Sequence, residues 1–286
     1  MVDLLLHVGP HKTGTTSIQK TLSENFLSLK EKGIFYPRLS DSNEMQHSSL
    51  ASFVSSNNKV ALKAFVEDLN EACYREKFSH VIVSGEEFCT VINTEGWGQF
   101  KDHIEKYYNM RIAYVCRDPV ERLVSGIMHT FFVNPCELRK HGDDIRCYME
   151  KWLVWDESLK SKWASEGADL ISFSDIKGRN ITGDFLRTWA GLNIEFPSDS
   201  AVNRADDRNR EEMFRVFDYV PRLIFSLILG ARVDDALVTQ KAQEIFPRDA
   251  VDIDECLVMR SLEKLKSQIE FIANEELNKA RKNSKI

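Results

Sequence analysis

Leu4-Leu5-Leu6-His7-Val8-Gly9-Pro10-His11-Lys12-Thr13-Gly14-Thr15-Thr16-Ser17, near the start of the chain, carries the strongest structural signal in the sequence. A short apolar run stops at Gly-Pro, a lysine and a glycine follow, and hydroxyl residues then open a helical pattern. The order predicts a strand, a tight turn and a helix N-terminus. The first N–H groups of such a helix have no intrahelical partner, and the helix dipole adds partial positive charge. A lysine at the same place makes the turn an anion cradle, and phosphate is the natural occupant.

The chain downstream repeats the alternation. Ile18, Leu22, Phe26 and Leu29 form one helical stripe that Gly33 is placed to end as a left-handed cap. Ile34-Phe35-Tyr36 reads as a short strand before Pro37, and residues 38–58 as a polar loop or short helix. A helical pattern through Val60, Phe65, Leu69 and Ala72 leads to a strand at Val81-Ile82-Val83 that ends in Ser84-Gly85-Glu86-Glu87. A helix from Trp97 to Tyr108 feeds the strand Arg111 to Cys116, which Arg117-Asp118-Pro119 terminates, and Val120, Leu123, Val124 and Ile127 open another helix. This is the pattern of βαβ units, so the expected class is α/β: a P-loop-type parallel sheet flanked by helices. Ligands of such sheets bind beyond the carboxyl ends of strands. Lys12, Glu86 and Arg117 stand at three such ends and converge if the strands are neighbours.

Further on, Tyr148, Trp152, Trp155, Leu159 and Trp163 recur at helical spacing, Leu170 to Phe173 reads as a strand, and Thr182 to Ala190 as a helix closed by Gly191. From about Asp206 the pattern is helical to the end, broken at Pro221, Gly230 and Pro247. Val258, Leu262, Leu265, Ile269 and Ile272 form a short heptad seam that suits packing within the domain, with dimerisation as the alternative; monomer and homodimer both stay open. The organisation expected is one domain over 1–286, with an α/β core at 1–200 and a helical portion at 201–286.

Composition narrows the function classes. At 286 residues, 43% hydrophobic and 29% charged, the chain can bury a full core. A net charge of −6 argues against nonspecific nucleic-acid binding. The six cysteines include no C-x-x-C pair, so neither a zinc site nor a disulfide framework is expected. The opening apolar run lacks the features of a signal peptide and no later run reaches membrane-spanning length, which makes a cytoplasmic protein without a membrane span the expectation.

The ATP-type phosphate loop G-x-x-x-x-G-K-[ST] places its lysine after the second glycine. Here Lys12 precedes Gly14. The order Lys12-Thr13-Gly14-Thr15-Thr16 instead resembles the 5′-phosphosulfate loop of sulfotransferases that use 3′-phosphoadenosine 5′-phosphosulfate (PAPS). Tyr114-Val115-Cys116-Arg117-Asp118-Pro119-Val120-Glu121-Arg122-Leu123-Val124-Ser125 is similar to that family's 3′-phosphate motif, in which a strand-end Arg and a Ser eight residues later hold the phosphate. Gly33 to Pro37, Gln46-His47, Ser84-Gly85-Glu86 and Asn203 are similar to elements of its bacterial members.

The resemblance implies a PAPS-dependent sulfotransferase that needs no metal. Its nucleotide site would comprise His11, Lys12, Thr13, Gly14, Thr15, Thr16, Ser17, Arg117 and Ser125. Lys12 would neutralise the leaving phosphate, and His47 or Glu86 would take the acceptor's proton. The acceptor would be a hydroxyl or amine on a carbohydrate, a lipid-linked sugar or a small molecule. Residues 38–58, residues 134–148 and the Trp helix are candidates for its pocket. A nucleotide-binding member without turnover and a divergent P-loop kinase or NTPase are the alternatives.

Overall fold

A computed structural model of the chain describes residues 1–38, 45–133, 145–176, 178, 180–196 and 255–283. Among the described residues five strands form one all-parallel sheet: β1 (Val2–Val8), β2 (Ile34–Phe35), β3 (His80–Gly85), β4 (Tyr108–Cys116) and β5 (Asp169–Ser172). Their order across the sheet is β2-β3-β1-β4-β5. The α/β class read from the alternation is the class observed. In chain order the helices are α1 (Thr15–Glu24), α2 (Phe26–Glu31), α3 (Ser48–Ser55), α4 (Lys59–Glu76), α5 (Phe88–Val91), α6 (Glu95–Glu105), α7 (Pro119–Val133), α8 (Ile145–Ser165), α9 (Phe173–Ile176), α10 (Ile181–Ala190) and α11 (Glu255–Lys282).

β1 is central because both of its faces are apolar. Leu4, Leu6 and Val8 enter one core with Val81, Val83, Phe100 and Trp163. Leu5 faces the other way, into a core with Ile18, Leu22, Ile82, Phe185 and Trp189. A strand buried on both sides suits a parallel sheet covered by helices. Leu4, Leu5 and Leu6 are all fully buried, and each contributes roughly 1.5–3 kcal/mol relative to exposure.

Local signals place the helix ends. Gly33 at φ 74° and Gly191 at φ 70° follow α2 and α10 in the left-handed region, where the expected caps stand. The boundary that differs is at Tyr108. Read as the end of a helix, it begins β4 instead, with its hydroxyl donating to Asn70 at 2.8 Å. The helix α6 stops at Glu105, three residues earlier, and β4 gains length because it pairs with all of β1.

The chain divides into two compact units. The first comprises Met1–Arg117 and Leu159–Val202, and the second Asp118–Ser158 and Asn203–Ile286. Each unit is therefore built from segments that are discontinuous in sequence. The reason is that α7 packs against α11 in the second unit. There Val120, Leu123, Val124 and Ile127 are buried, as are Ile269, Ile272, Ala273 and Leu277. Ile269 and Ile272 of the heptad seam are thus packed within the chain; the side chains of Val258, Leu262 and Leu265 lie outside the described residues, as do Pro221, Gly230, Pro247 and Asn203. Within the second unit Arg122 meets Asp156 at 2.5 Å and lies over the Trp152 ring at 4.3 Å. Trp163 belongs to the first unit, where it is fully buried, donates from Nε1 to the Cys89 carbonyl at 2.9 Å and meets Trp97 edge-on. Among the described residues no helix is long and apolar enough to cross a membrane.

Candidate functional site

The side to which successive parallel strands are added switches at β1, which lies between β3 and β4. That is the switch point at which parallel sheets open a crevice. The register fixes what stands there. Val8 is paired with Gly85 on one side and with Tyr114 on the other. The residues that follow the three strands, the 9–14 loop, Glu86 and Arg117, consequently emerge side by side.

The loop between β1 and α1 is built on two glycines and one strained lysine. A Cβ on Gly9 would meet Thr15 Cγ2 at 2.6 Å, and one on Gly14 would meet the Phe173 ring at 2.6 Å. Gly14 is left-handed at φ 79° and caps α1 without a side chain. Lys12 also has positive φ, 71°, which a non-glycine residue adopts at a cost of about 1–3 kcal/mol. Burial lowers the Lys12 pKa from its ordinary value, against an opposing pull from Glu86. Thr13 is buried and donates to the Pro10 carbonyl at 2.7 Å, so its hydroxyl braces the turn. Ser17 is buried within the first turn of α1.

Glu86 joins β3 to this loop. Its Oε1 accepts from the Thr15 hydroxyl and, at 3.5 Å, from that of Thr16. Its Oε2 pairs with His11 Nδ1. Burial pushes the Glu86 carboxyl up, but the hydrogen bonds from His11 and Thr15 and the charges of His11 and Lys12 outweigh it and hold it below the ordinary value. The same hydrogen bond raises His11, against the effect of burial. Beneath them His7 is fully buried, bonded through Nδ1 to Ser84 Oγ at 2.8 Å, and desolvation lowers its pKa to about 3. It is a neutral imidazole in the floor of the loop.

Arg117 comes in from β4. Its Nη1 donates to the Lys12 carbonyl at 3.1 Å, and its guanidinium lies 5.2 Å from the centre of the Phe173 ring. Phe173 therefore supports Gly14 and Arg117 together. No motif in the sequence marks this residue. The signal for it was position, the first residue after β5, which borders β4. Ser125 follows on α7, partly exposed, and belongs to the second unit.

His47 is placed differently from Glu86. It is only 2% exposed, and its ring sits among backbone atoms. Nδ1 lies 3.0 Å from the Ser84 carbonyl and 3.1 Å from the Ser84 N–H, and Nε2 lies 2.8 Å from the Pro37 carbonyl. The Tyr36 ring covers it edge-on. In this arrangement His47 ties the end of β3 to the segment after β2. His47→Ala is expected to lose about 2–4 kcal/mol of stability, because buried polar groups are left without partners. An unchanged denaturation midpoint would contradict that role.

The fold and the site together define a parallel α/β protein with a lysine–glycine loop at its switch point, braced by a glutamate from one neighbouring strand and an arginine from the other. Compared with known proteins, the chain matches no family model, and neither curated proteins nor solved structures gave a match.

Proposed function

We propose that this chain is a PAPS-dependent sulfotransferase acting on a hydroxyl-bearing acceptor. The observation that carries the reading is the hydrogen bond from Arg117 to the Lys12 carbonyl. It puts the arginine of one motif beside the lysine of the other, although 105 residues separate them. A nucleotide with phosphates on both its 3′ and 5′ sides gives a second cationic anchor so placed a partner.

The residues suit that donor. Gly9 and Gly14 leave the backbone uncovered where a Cβ would intrude, and Gly14 leaves the start of α1 without a side-chain cap. Lys12 supplies a cation at the loop, where the bridging oxygen of the phosphosulfate would gain charge as the sulfuryl group leaves. Arg117 offers a fork of donors to the 3′-phosphate. Ser125, the eighth residue after Arg117, is assigned to the same phosphate by the family resemblance. Thr15 and Thr16 open the helix that faces the 5′ end. We place the enzyme in a reducing, cytosolic compartment, which the free cysteines among the described residues suit.

Titration calorimetry with adenosine 3′,5′-bisphosphate, the product nucleotide, tests the reading. Binding in magnesium-free buffer, tighter than that of Mg-ATP, is the expected result. Binding of Mg-ATP without binding of the bisphosphate would overturn it in favour of a P-loop kinase or NTPase. Screening sulfate transfer to phenols, oligosaccharides and alkyl alcohols then separates an enzyme from a binding protein that lacks turnover.

A further inference from the structure

We infer that His11, oriented by Glu86, is the base that takes the acceptor's proton. The inference rests on the sulfotransferase reading and names a residue that the resemblance assigned to nucleotide binding. Three imidazoles stand near the β1–β3 strand ends, and their surroundings differ. His7 is sealed beneath the loop. His47 has both ring nitrogens on backbone atoms. His11 has Nδ1 on the Glu86 carboxylate and a side chain that is 72% exposed, with no hydrogen bond to its Nε2 among the described residues.

A carboxylate behind one nitrogen and an open second nitrogen is the arrangement that makes imidazole an effective base. The carboxylate selects the tautomer with the proton on Nδ1, leaves the Nε2 lone pair free, and stabilises the imidazolium that forms. Glu86 suits the orienting role better than the catalytic one. Its side chain is 11% exposed, and both of its oxygens are engaged, by the Thr15 and Thr16 hydroxyls and by His11. Its lowered pKa also makes it a weak proton acceptor. Because His11 directly precedes Lys12, the base and the cation that serves the leaving group sit on adjacent residues. Thr15 holds Glu86 from the other side, so the helix start, the carboxylate and the imidazole are coupled.

In the transfer, the acceptor oxygen bonds to sulfur and the bond from sulfur to the bridging oxygen of the 5′-phosphate breaks. That oxygen keeps the electron pair and leaves with the bisphosphate, next to Lys12. The hydroxyl proton passes to His11 Nε2, and the imidazolium, held against Glu86, later loses it to solvent. No oxidation state changes.

The charges that act on His11 are Glu86 and Glu87, which raise its pKa, and Lys12, which lowers it. The net direction is upward from 6.5. A base must be neutral to act, so turnover should rise with pH through a midpoint above 6.5. In Glu86→Gln, where the largest raising interaction is lost, that midpoint should move down.

The test uses the full chain with PAPS and a panel of a simple phenol, an oligosaccharide and an alkyl alcohol as acceptors. It is combined with nitrogen-15 spectra of the histidine rings, in which His11 is assigned by its absence from His11→Gln. The expected results are a proton on Nδ1 of neutral His11, and a kcat in His11→Gln lower by about 10²–10⁴-fold, the usual weight of a positioned base. The affinity for adenosine 3′,5′-bisphosphate should stay within about threefold. Glu86→Gln should show the downward pH shift. Normal turnover in His11→Gln, a loss carried by nucleotide affinity instead of kcat, or a proton on Nε2 of the neutral ring would each overturn the base assignment while leaving the sulfotransferase reading intact. A wild-type chain that binds no bisphosphate, or forms none from PAPS with any acceptor, would overturn both.

Discussion

Arg117→Ala is expected to weaken adenosine 3′,5′-bisphosphate about 30-fold more than it weakens adenosine 5′-phosphate, as measured by calorimetry on the same preparation. Two losses contribute, and the pair of ligands separates them. In the proposed site both ligands would depend on the 9–14 loop, and Arg117 donates to the Lys12 carbonyl within it. Losing one such hydrogen bond costs about 0.5–1.5 kcal/mol, roughly two- to tenfold, and both nucleotides should show it. Only the bisphosphate carries a 3′-phosphate. Removing the charged partner of a desolvated ionic hydrogen bond costs about 2–5 kcal/mol, and the lower figure is about 30-fold. Arg117→Lys should fall between, since it keeps a charge but loses the planar fork. Equal losses for the two nucleotides would remove the 3′-phosphate from Arg117 and reduce its role to bracing Lys12.

That prediction was within reach of the sequence, and other parts of the site were not. Strand-to-helix punctuation located Lys12, Glu86 and Arg117 because each sits where an apolar run stops, and the parallel sheet followed from the same alternation. What punctuation cannot give is lateral order. Only with β1 between β3 and β4 does Glu86 come within reach of Thr15 and His11, and only then does His11 stand apart from its neighbours in the loop. Phe173 was hidden for the same reason. Its packing against Gly14 depends on β5 lying beside β4, which nothing local to residues 170–176 encodes. His47 was ambiguous in a different way. A histidine in a polar stretch has the composition of a reactive residue, and it took the backbone atoms of Ser84 and Pro37 around its ring to show a structural one. The division into units also escaped the sequence, since a helical pattern reveals that α7 and α11 are amphipathic without revealing that they pack together.

Two glycines in α6, separated by a single tryptophan, should respond to alanine with opposite signs. Gly96 is buried, and a Cβ there would lie 1.8 Å from the Val54 carbonyl oxygen and 2.9 Å from its carbon. The obstacle is backbone, so no rotamer change relieves it. That carbonyl accepts from Asn57 N–H at 3.0 Å, in a turn where Asn57 already has φ 53° and Asn58 caps α4 through Ala61 N–H. The end of α3 is therefore poorly able to retreat, and α6 must move instead. Its next residue, Trp97, is 4% exposed and packed edge-on against Trp163 at 4.9 Å, so the shift opens the larger core of the first unit. Overpacking a rigid contact commonly costs 1–3 kcal/mol. A backbone clash this deep, with loss of aromatic packing, should cost about 4 kcal/mol or more. Gly98 is exposed with nothing within 4 Å of its added Cβ. Alanine there should stabilise by up to about 1 kcal/mol through helix propensity alone. Chemical denaturation read by tryptophan fluorescence measures both. Matching effects in the two variants would mean that α6 does not rest its first turn on the end of α3.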